Sequence, residues 1–214
     1  MTTTMFEPMA KILTPGTKGD ARVDHFDISR DSPGSFRAII RDGVQPGTYA
    51  RLYVGQTLMM TDTQMEQSTN RYAVHKATGH VLVAGLGLGL ILVPMLRKPE
   101  VLSVTVIEKY QDVVDLVLPN LLTAVPEAKD KLKVIVKDVL EYNPSKDKAC
   151  PLLAKYDVIY FDIWPTMSAD NLPEITMLKR RYARRVAKGG WMGAWIEEQL
   201  RDIKRRGGGR VWGW

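Results

Sequence analysis

The chain has 214 residues, of which 45% are hydrophobic and 25% charged, and its formal net charge is +6. At about 150 residues per domain this is one full domain with a small appendage, long enough to bury a sizeable core. No apolar run approaches the roughly 18 uninterrupted residues of a membrane-spanning helix, which excludes a membrane protein of that kind.

The opening residues Met1 to Glu7 lack the basic start, apolar stretch and cleavage site of a secretory signal, so a soluble, cytoplasmic protein is expected. Cys150 is the only cysteine, which rules out an intramolecular disulfide and a cysteine-based metal cluster. His25, His75 and His80 show no ligand spacing, and no metal is expected. The positive charge is concentrated in Lys179, Arg180, Arg181, Arg184, Arg185, Lys188 and the tail Arg201 to Arg210, on or beside a predicted helix. A solvated helix face accounts for it more readily than a phosphate track, so a nucleic-acid partner is the secondary expectation.

Residues up to about Asp20 are polar and punctuated by Pro and Gly, which predicts a loosely held end with little function. From Val23 to Asp62, β-prone stretches at Phe36–Arg41, Tyr49–Val54 and Thr57–Thr61 alternate with turn signals at Asp42-Gly43, Pro46-Gly47 and Gly55-Gln56. Residues 1–62 are therefore read as an extension and a small antiparallel β unit. Thr63 to Ala77 predicts a short helix that leads into the main domain, residues 63–214.

There the pattern alternates. Strands are predicted at His80–Ala84, Ser103–Glu108, Leu132–Val136 and Tyr156–Asp162, with helices at Leu88–Leu96 and Gln111–Leu122. Nearly continuous apolar strands alternating with helices predict an α/β fold, doubly wound and Rossmann-like, around a mostly parallel sheet. A helix at Glu174–Ala187, a turn at Lys188-Gly189-Gly190, a strand at Trp191–Ile196 and a helix at Glu197–Arg206 complete the expectation.

Val81-Leu-Val-Ala-Gly85-Leu86-Gly87-Leu-Gly89-Leu90 places three glycines directly after a buried strand. Glycine permits positive φ and close approach of a ligand to the backbone, and the following helix start would offer free N–H donors. Glu108, about twenty residues on, ends the next strand and is placed to accept from both ribose hydroxyls. Asp138 follows the strand after that. It can accept from an exocyclic amine or serve as a helix cap. Leu90 stands where a dinucleotide fingerprint needs a small residue, and no Gly-Lys-Ser/Thr run is present to grip a triphosphate.

Val81 to Gly89, Val104 to Glu108, Lys137-Asp138 and Tyr156 to Asp162 resemble the successive motifs of class I S-adenosylmethionine-dependent methyltransferases. Within that superfamily the chain is most similar to the spermidine synthase branch, through the small β unit, the lead-in Leu58-Met-Met-Thr-Asp62 to Glu66, and Asp162-Ile-Trp-Pro165. The resemblance implies S-adenosylmethionine as cofactor, held by Gly85, Leu86, Gly87, Gly89, Glu108, Lys109, Asp138 and Val139. It implies that Asp162 stands beside the reacting centre as the catalytic residue.

Two departures separate the chain from that branch. Trp164 stands where the branch carries a polyamine-anchoring Asp before the proline, and Gly-Leu-Gly-Leu-Gly replaces Gly-Gly-Gly-Asp-Gly. Methyl transfer to a small or medium-sized acceptor is therefore expected ahead of aminopropyl transfer. A non-catalytic protein that keeps the fold is a third reading. Trp164 can stack on the acceptor or pack the domain edge, and Asp62 and Glu66 can wall the substrate pocket or be polar residues at a helix start. Met59, Met60 and Met65 are read as packing residues. A homodimer is a secondary expectation.

Overall fold

The computed structural model describes residues 5–32, 35, 39–40, 43–146, 152 and 155–207. Two sheets are present among them. The first is an antiparallel meander of β1 (Gly16–Lys18), β2 (Ala21–Ile28), β3 (Gly47–Val54) and β4 (Thr57–Thr61), paired in chain order. Of the predicted strand Phe36–Arg41 only Ile39 and Ile40 are described, and they are helical.

The second sheet contains β5 (Gly79–Ala84), β6 (Val101–Glu108), β7 (Leu132–Val136), β8 (Tyr156–Phe161) and β9 (Val186–Ala194), all parallel, in the order β7-β6-β5-β8-β9. Val81 to Ala84 in the central β5 are fully enclosed. A strand covered on both faces has no polar side to present, which is why its sequence reads as an unbroken apolar run. Helix α1 (Gln64–Lys76) links the sheets; α2 (Leu92–Arg97), α3 (Gln111–Ala124), α4 (Ala128–Lys131), α5 (Leu172–Tyr182) and α6 (Glu197–Arg205) follow. The chain runs outward from β5 through β6 to β7, then returns to β8 on the other side of β5. That reversal puts a topological switch point at the carboxyl ends of β5 and β8.

Four expectations need correction. The predicted helix Leu88–Leu96 begins only at Leu92, because residues 85–91 are spent in turns. The predicted helix Glu174–Ala187 is α5 followed by a single 3-10 turn, Ala183–Arg185. Lys188-Gly189-Gly190 is not a turn before the last strand but lies inside β9, where the pairing jumps from Tyr156↔Val186 to Val158↔Trp191. The excess residues form a bulge, with Gly189 at φ +80°.

The fourth concerns the amino-terminal segment, which is held rather than loose. Phe6, Met9 and Leu13 are buried, and Asp20 N–H donates to Asp112 of α3 at 3.1 Å. The tie that matters most is Asp62, fully enclosed at the β4–α1 junction. Its two carboxylate oxygens accept the N–H of Met9 at 2.6 Å and of Ala50 at 2.7 Å. Burial raises the pKa of Asp62 while these amide bonds oppose the shift.

Asp62→Ala is expected to leave both amides buried without an acceptor and to lower unfolding free energy by about 2–4 kcal/mol, with Asp62→Asn losing less. Urea denaturation monitored by tryptophan fluorescence checks this. A loss for Asp62→Ala below about 0.5 kcal/mol would contradict the anchoring role.

Candidate functional site

At the switch point the backbone itself is the first wall. Ala84 pairs in register with Phe161, and Asp162 N–H donates to Ala84 O at 2.9 Å, so Gly85 and Asp162 leave the sheet side by side. Gly85 has φ +98°, and a Cβ there would collide with the Asp162 carbonyl oxygen. No other residue type fits without moving the strand end.

The turn that follows is tied across to β6 by Glu108. Leu86 N–H donates to Glu108 Oε2 at 2.7 Å, and Tyr110 N–H donates to Oε1 at 2.9 Å. Glu108 is buried, which raises its pKa, and the amide bonds from Leu86 and Tyr110 oppose the rise. Above the turn lies β4. Met60 Sδ accepts from Leu88 N–H at 3.2 Å and occupies the space where a side chain on Gly87 would stand. Gly89 faces elsewhere: its N–H donates to Leu86 O at 2.9 Å, and a Cβ there would meet Leu121 Cδ1 at 2.6 Å.

Asp138 sits just past β7. Its Oδ1 accepts Leu140 N–H at 2.9 Å and its Oδ2 lies 3.0 Å from Lys109 Nζ, an exposed amine whose pKa is raised by this carboxylate. The Asp138 carbonyl accepts Tyr142 N–H at 2.7 Å, which closes a single helical turn.

Asp162 and Glu66 form the deep end. Glu66, on the first turn of α1, is 5% exposed. Burial and then the charge of Asp162 push its pKa up to about 8. Asp162 keeps part of its surface open to the cavity, yet the surrounding protein raises its pKa to about 7. Among the described residues neither carboxylate has a hydrogen-bond or ion-pair partner. Around them, Tyr160 hydroxyl donates to Asn70 Oδ1 at 2.8 Å, Trp195 Nε1 to Thr69 Oγ1 at 3.1 Å, and Trp164 Nε1 to Glu174 Oε2 at 2.7 Å.

These elements enclose one cavity of about 290 Å³. That is near the lower end of the roughly 300–1,000 Å³ of small-ligand sites. Gly85, Leu86, Gly87, Glu66, Glu108, Lys109, Asp138, Val139, Asp162 and Trp164 line it; Gly89 and Asp62 do not. Sequence reasoning read Met59 and Met60 as packing residues and passed over Tyr110, Leu140 and Trp195, all of which also line it. Trp195 follows the carboxyl end of β9, a position from which parallel sheets present ligand contacts, and that signal could have found it. Met60 carries no such signal, because only the packing of β4 over the turn brings it there. The expected free helix N-terminus is absent as a contributor, since α2 has six residues and starts beyond the turns. Of the basic run, Arg181 donates to the carbonyls of Val139, Leu140 and Tyr142, Arg185 to those of Pro144 and Leu152, and Lys179 pairs with Glu197 at 2.8 Å. The tail beyond residue 207 lies outside the described residues.

No protein-family model and no curated protein sequence matches the chain. Solved structures do. Spermidine synthase from Thermotoga maritima superposes with a TM-score of 0.52 at 17% identity, and a spermidine synthase in complex with the transition-state analogue AdoDATO superposes with the same score at 16%. Each alignment covers 85% of this chain and 55% of the other, so the chain spans about half the length of these structures. The O-methyltransferase TomG from Streptomyces achromogenes, in complex with SAM, aligns over 64% of this chain and 56% of its own at 16% identity with a TM-score of 0.47. The likeness is one of fold: the chain shares the Rossmann-like α/β fold of these spermidine synthases.

Both deep carboxylates hold protons in the folded state that the unfolded chain releases near its ordinary values of 4.5 and 3.8. Their contribution to stability is complete below those values and is lost as pH rises through about 7 and about 8. Unfolding free energy should therefore fall between about pH 5 and about pH 9, and Glu66→Gln should flatten the fall, being more stable than the parent by about 2 kcal/mol at the upper end. Urea midpoints across that range test it, and parallel pH profiles for the two proteins would refute the shared burial of these charges.

Proposed function

We propose that the chain is an S-adenosylmethionine-dependent methyltransferase acting on a small or medium-sized acceptor. One observation carries the reading: a single cavity at the switch point receives Glu108, Asp138 and Asp162 from three successive strand ends, opposite a glycine turn. The group types fit this cofactor. Glu108 offers carboxylate lone pairs to ribose hydroxyls, Asp138 with Val139 an acceptor and an apolar wall to adenine, and the turn the backbone of Gly85 to Gly87. Glu66 and Asp162 are two carboxyl groups that ionise more readily beside a positive charge, and among the described residues no cation pairs with them, which suits a sulfonium.

Bound there, S-adenosylmethionine supplies an electrophilic methyl group on positively charged sulfur. The residues then have two tasks. Glu108, Asp138 and the turn fix the nucleotide so that an acceptor lying toward Trp164 and Trp195 meets the methyl group in line. Asp162, whose pKa burial pushes up to about 7, would take the proton that the acceptor's O–H or N–H gives up as that oxygen or nitrogen bonds to the methyl carbon and the methyl–sulfur bond breaks, with S-adenosylhomocysteine as the leaving group. A nearby positive charge favours the ionised form of both deep carboxylates, so the base becomes available as the site fills.

A second reading, aminopropyl transfer to a cationic amine, is favoured by the same unpaired carboxylates, which can hold an ammonium group. Trp164 argues against it: its indole N–H is already engaged by Glu174, and it brings no charge to a polyamine.

Calorimetric titration with S-adenosylmethionine, S-adenosylhomocysteine, the decarboxylated nucleoside and NAD separates these readings. The first two should bind, and NAD should not. Preference for the decarboxylated form would replace the leading proposal by the second, and failure of every nucleoside to bind would remove both. With an acceptor in hand, Asp162→Asn should lower turnover by about 100-fold or more while leaving affinity for S-adenosylhomocysteine within about threefold. Unchanged turnover would remove Asp162 from the chemistry.

A further inference from the structure

The turn after β7 is clamped from behind. The guanidinium of Arg181, in the last turn of α5, donates through Nη1 to the carbonyls of Val139 at 3.0 Å, Leu140 at 2.7 Å and Tyr142 at 3.1 Å. These are the carbonyl groups of the single helical turn that Asp138 opens, and a helical turn leaves such groups without partners of their own. A charged donor shared among three of them holds the turn at its far end. Asp138 holds it at the near end through Leu140 N–H and Lys109. Asp138, Val139 and Leu140 line the cavity and Arg181 does not, so the guanidinium acts on it only through the backbone it holds. Arg181 belongs to the basic run whose sequence suggests a solvated face, but it is half-buried and used internally.

We propose that Arg181 is a positioning residue for base recognition: by pinning the carbonyls of residues 139–142 it sets the Asp138–Leu140 backbone at the distance and angle that reads a purine edge. This rests on the nucleotide reading of the cavity. A base contact needs placement to a fraction of an ångström, and a turn of one helical repeat has no neighbouring repeats to stiffen it. Arg181 supplies that stiffness from α5. Lysine in its place keeps the charge, but its shorter side chain does not carry a donor as far as Nη1 reaches.

The experiment compares the full chain with Arg181→Met and Arg181→Lys. Hydrogen exchange of the ligand-free proteins reports the clamp, and titration with S-adenosylhomocysteine and its hypoxanthine counterpart, S-inosylhomocysteine, reports base reading. Arg181→Met should exchange faster at the amides of residues 140–142. It should bind S-adenosylhomocysteine about tenfold more weakly and lose most of the parent's preference for adenine over hypoxanthine. Arg181→Lys should fall between. Unchanged exchange in both variants overturns the clamp. Faster exchange with S-adenosylhomocysteine affinity within about twofold, or an equal loss for both nucleosides, overturns the link to the base and leaves Arg181 a stabilising residue only. Binding of neither nucleoside by the parent would refute the nucleotide reading, and base recognition with it, whatever the exchange data show for the clamp.

Discussion

Everything in the site depends on how closely two backbones approach at the carboxyl ends of β5 and β8. The parallel register brings Ala84 beside Phe161, so the next residues, Gly85 and Asp162, must diverge from the same point. They can do so only because Gly85 has no Cβ to meet the Asp162 carbonyl oxygen and can hold φ at +98°. If that approach were opened, the Asp162 side chain would move relative to the glycine turn, and the tie from Leu86 N–H to Glu108 would move with it. Four strand ends are thus linked: β5 to β8 backbone to backbone at Gly85, β5 to β6 backbone to carboxylate at Glu108, and β6 to β7 by the ion pair of Lys109 with Asp138.

The second constraint is electrostatic. Glu66 and Asp162 share the deep end with no cation beside them among the described residues; burial disfavours ionisation of both, and the charge of Asp162 makes ionisation of Glu66 harder still. Ionising both sets like charges against each other, and the sheet that carries Asp162 and the helix that carries Glu66 must be held together against it. Asp62 contributes to that restraint. By fixing Met9 and Ala50 to the β4–α1 junction it sets the first turn of α1, four residues from Glu66, and the end of β4, two residues from Met60. The amino-terminal segment therefore acts on the cavity although it contributes no side chain to it.

The parallel sheet is legible in the sequence because its strands are short apolar runs ended by a turn or an acidic residue and alternate with helices, whereas the order of the strands becomes visible only in the structure. Glu108, Asp138 and Asp162 are legible for the same reason, since chemistry in such sheets sits at strand ends. What is not legible depends on contacts between residues far apart in the chain. Met60 reaches the glycine turn, 28 residues on, only through packing of the two sheets. The buried segment at Phe6 to Leu13 looks like a polar end because Thr, Pro and Gly are interspersed with the few apolar residues that anchor it. The late start of α2 is likewise hidden. Leu88, Leu90 and Ile91 have helical spacing with Leu92 and Met95, but positive φ at Gly87 and Gly89 holds the backbone in turns until Leu92.

The excess of basic residues is the property most easily misread. A run such as Lys179-Arg180-Arg181 with Arg184-Arg185 suggests a surface for phosphates, yet several cations elsewhere in the chain do the work Arg181 does. Lys98 Nζ donates to the carbonyls of Val74, His75 and Ala77, Lys131 to those of Leu96 and Lys98, and Lys155 to that of Arg184. These groups close helix ends and loop carbonyls that the backbone leaves unpaired. The lysines that line the cavity, Lys109 and Lys137, are exposed, at the strand ends away from Glu66 and Asp162. Positive charge thus stays at the rim and on the scaffold, while the deep end is left acidic. A net charge of +6 coexists with a cavity whose inner field favours a cation, because net charge describes the whole surface and binding responds to the local arrangement.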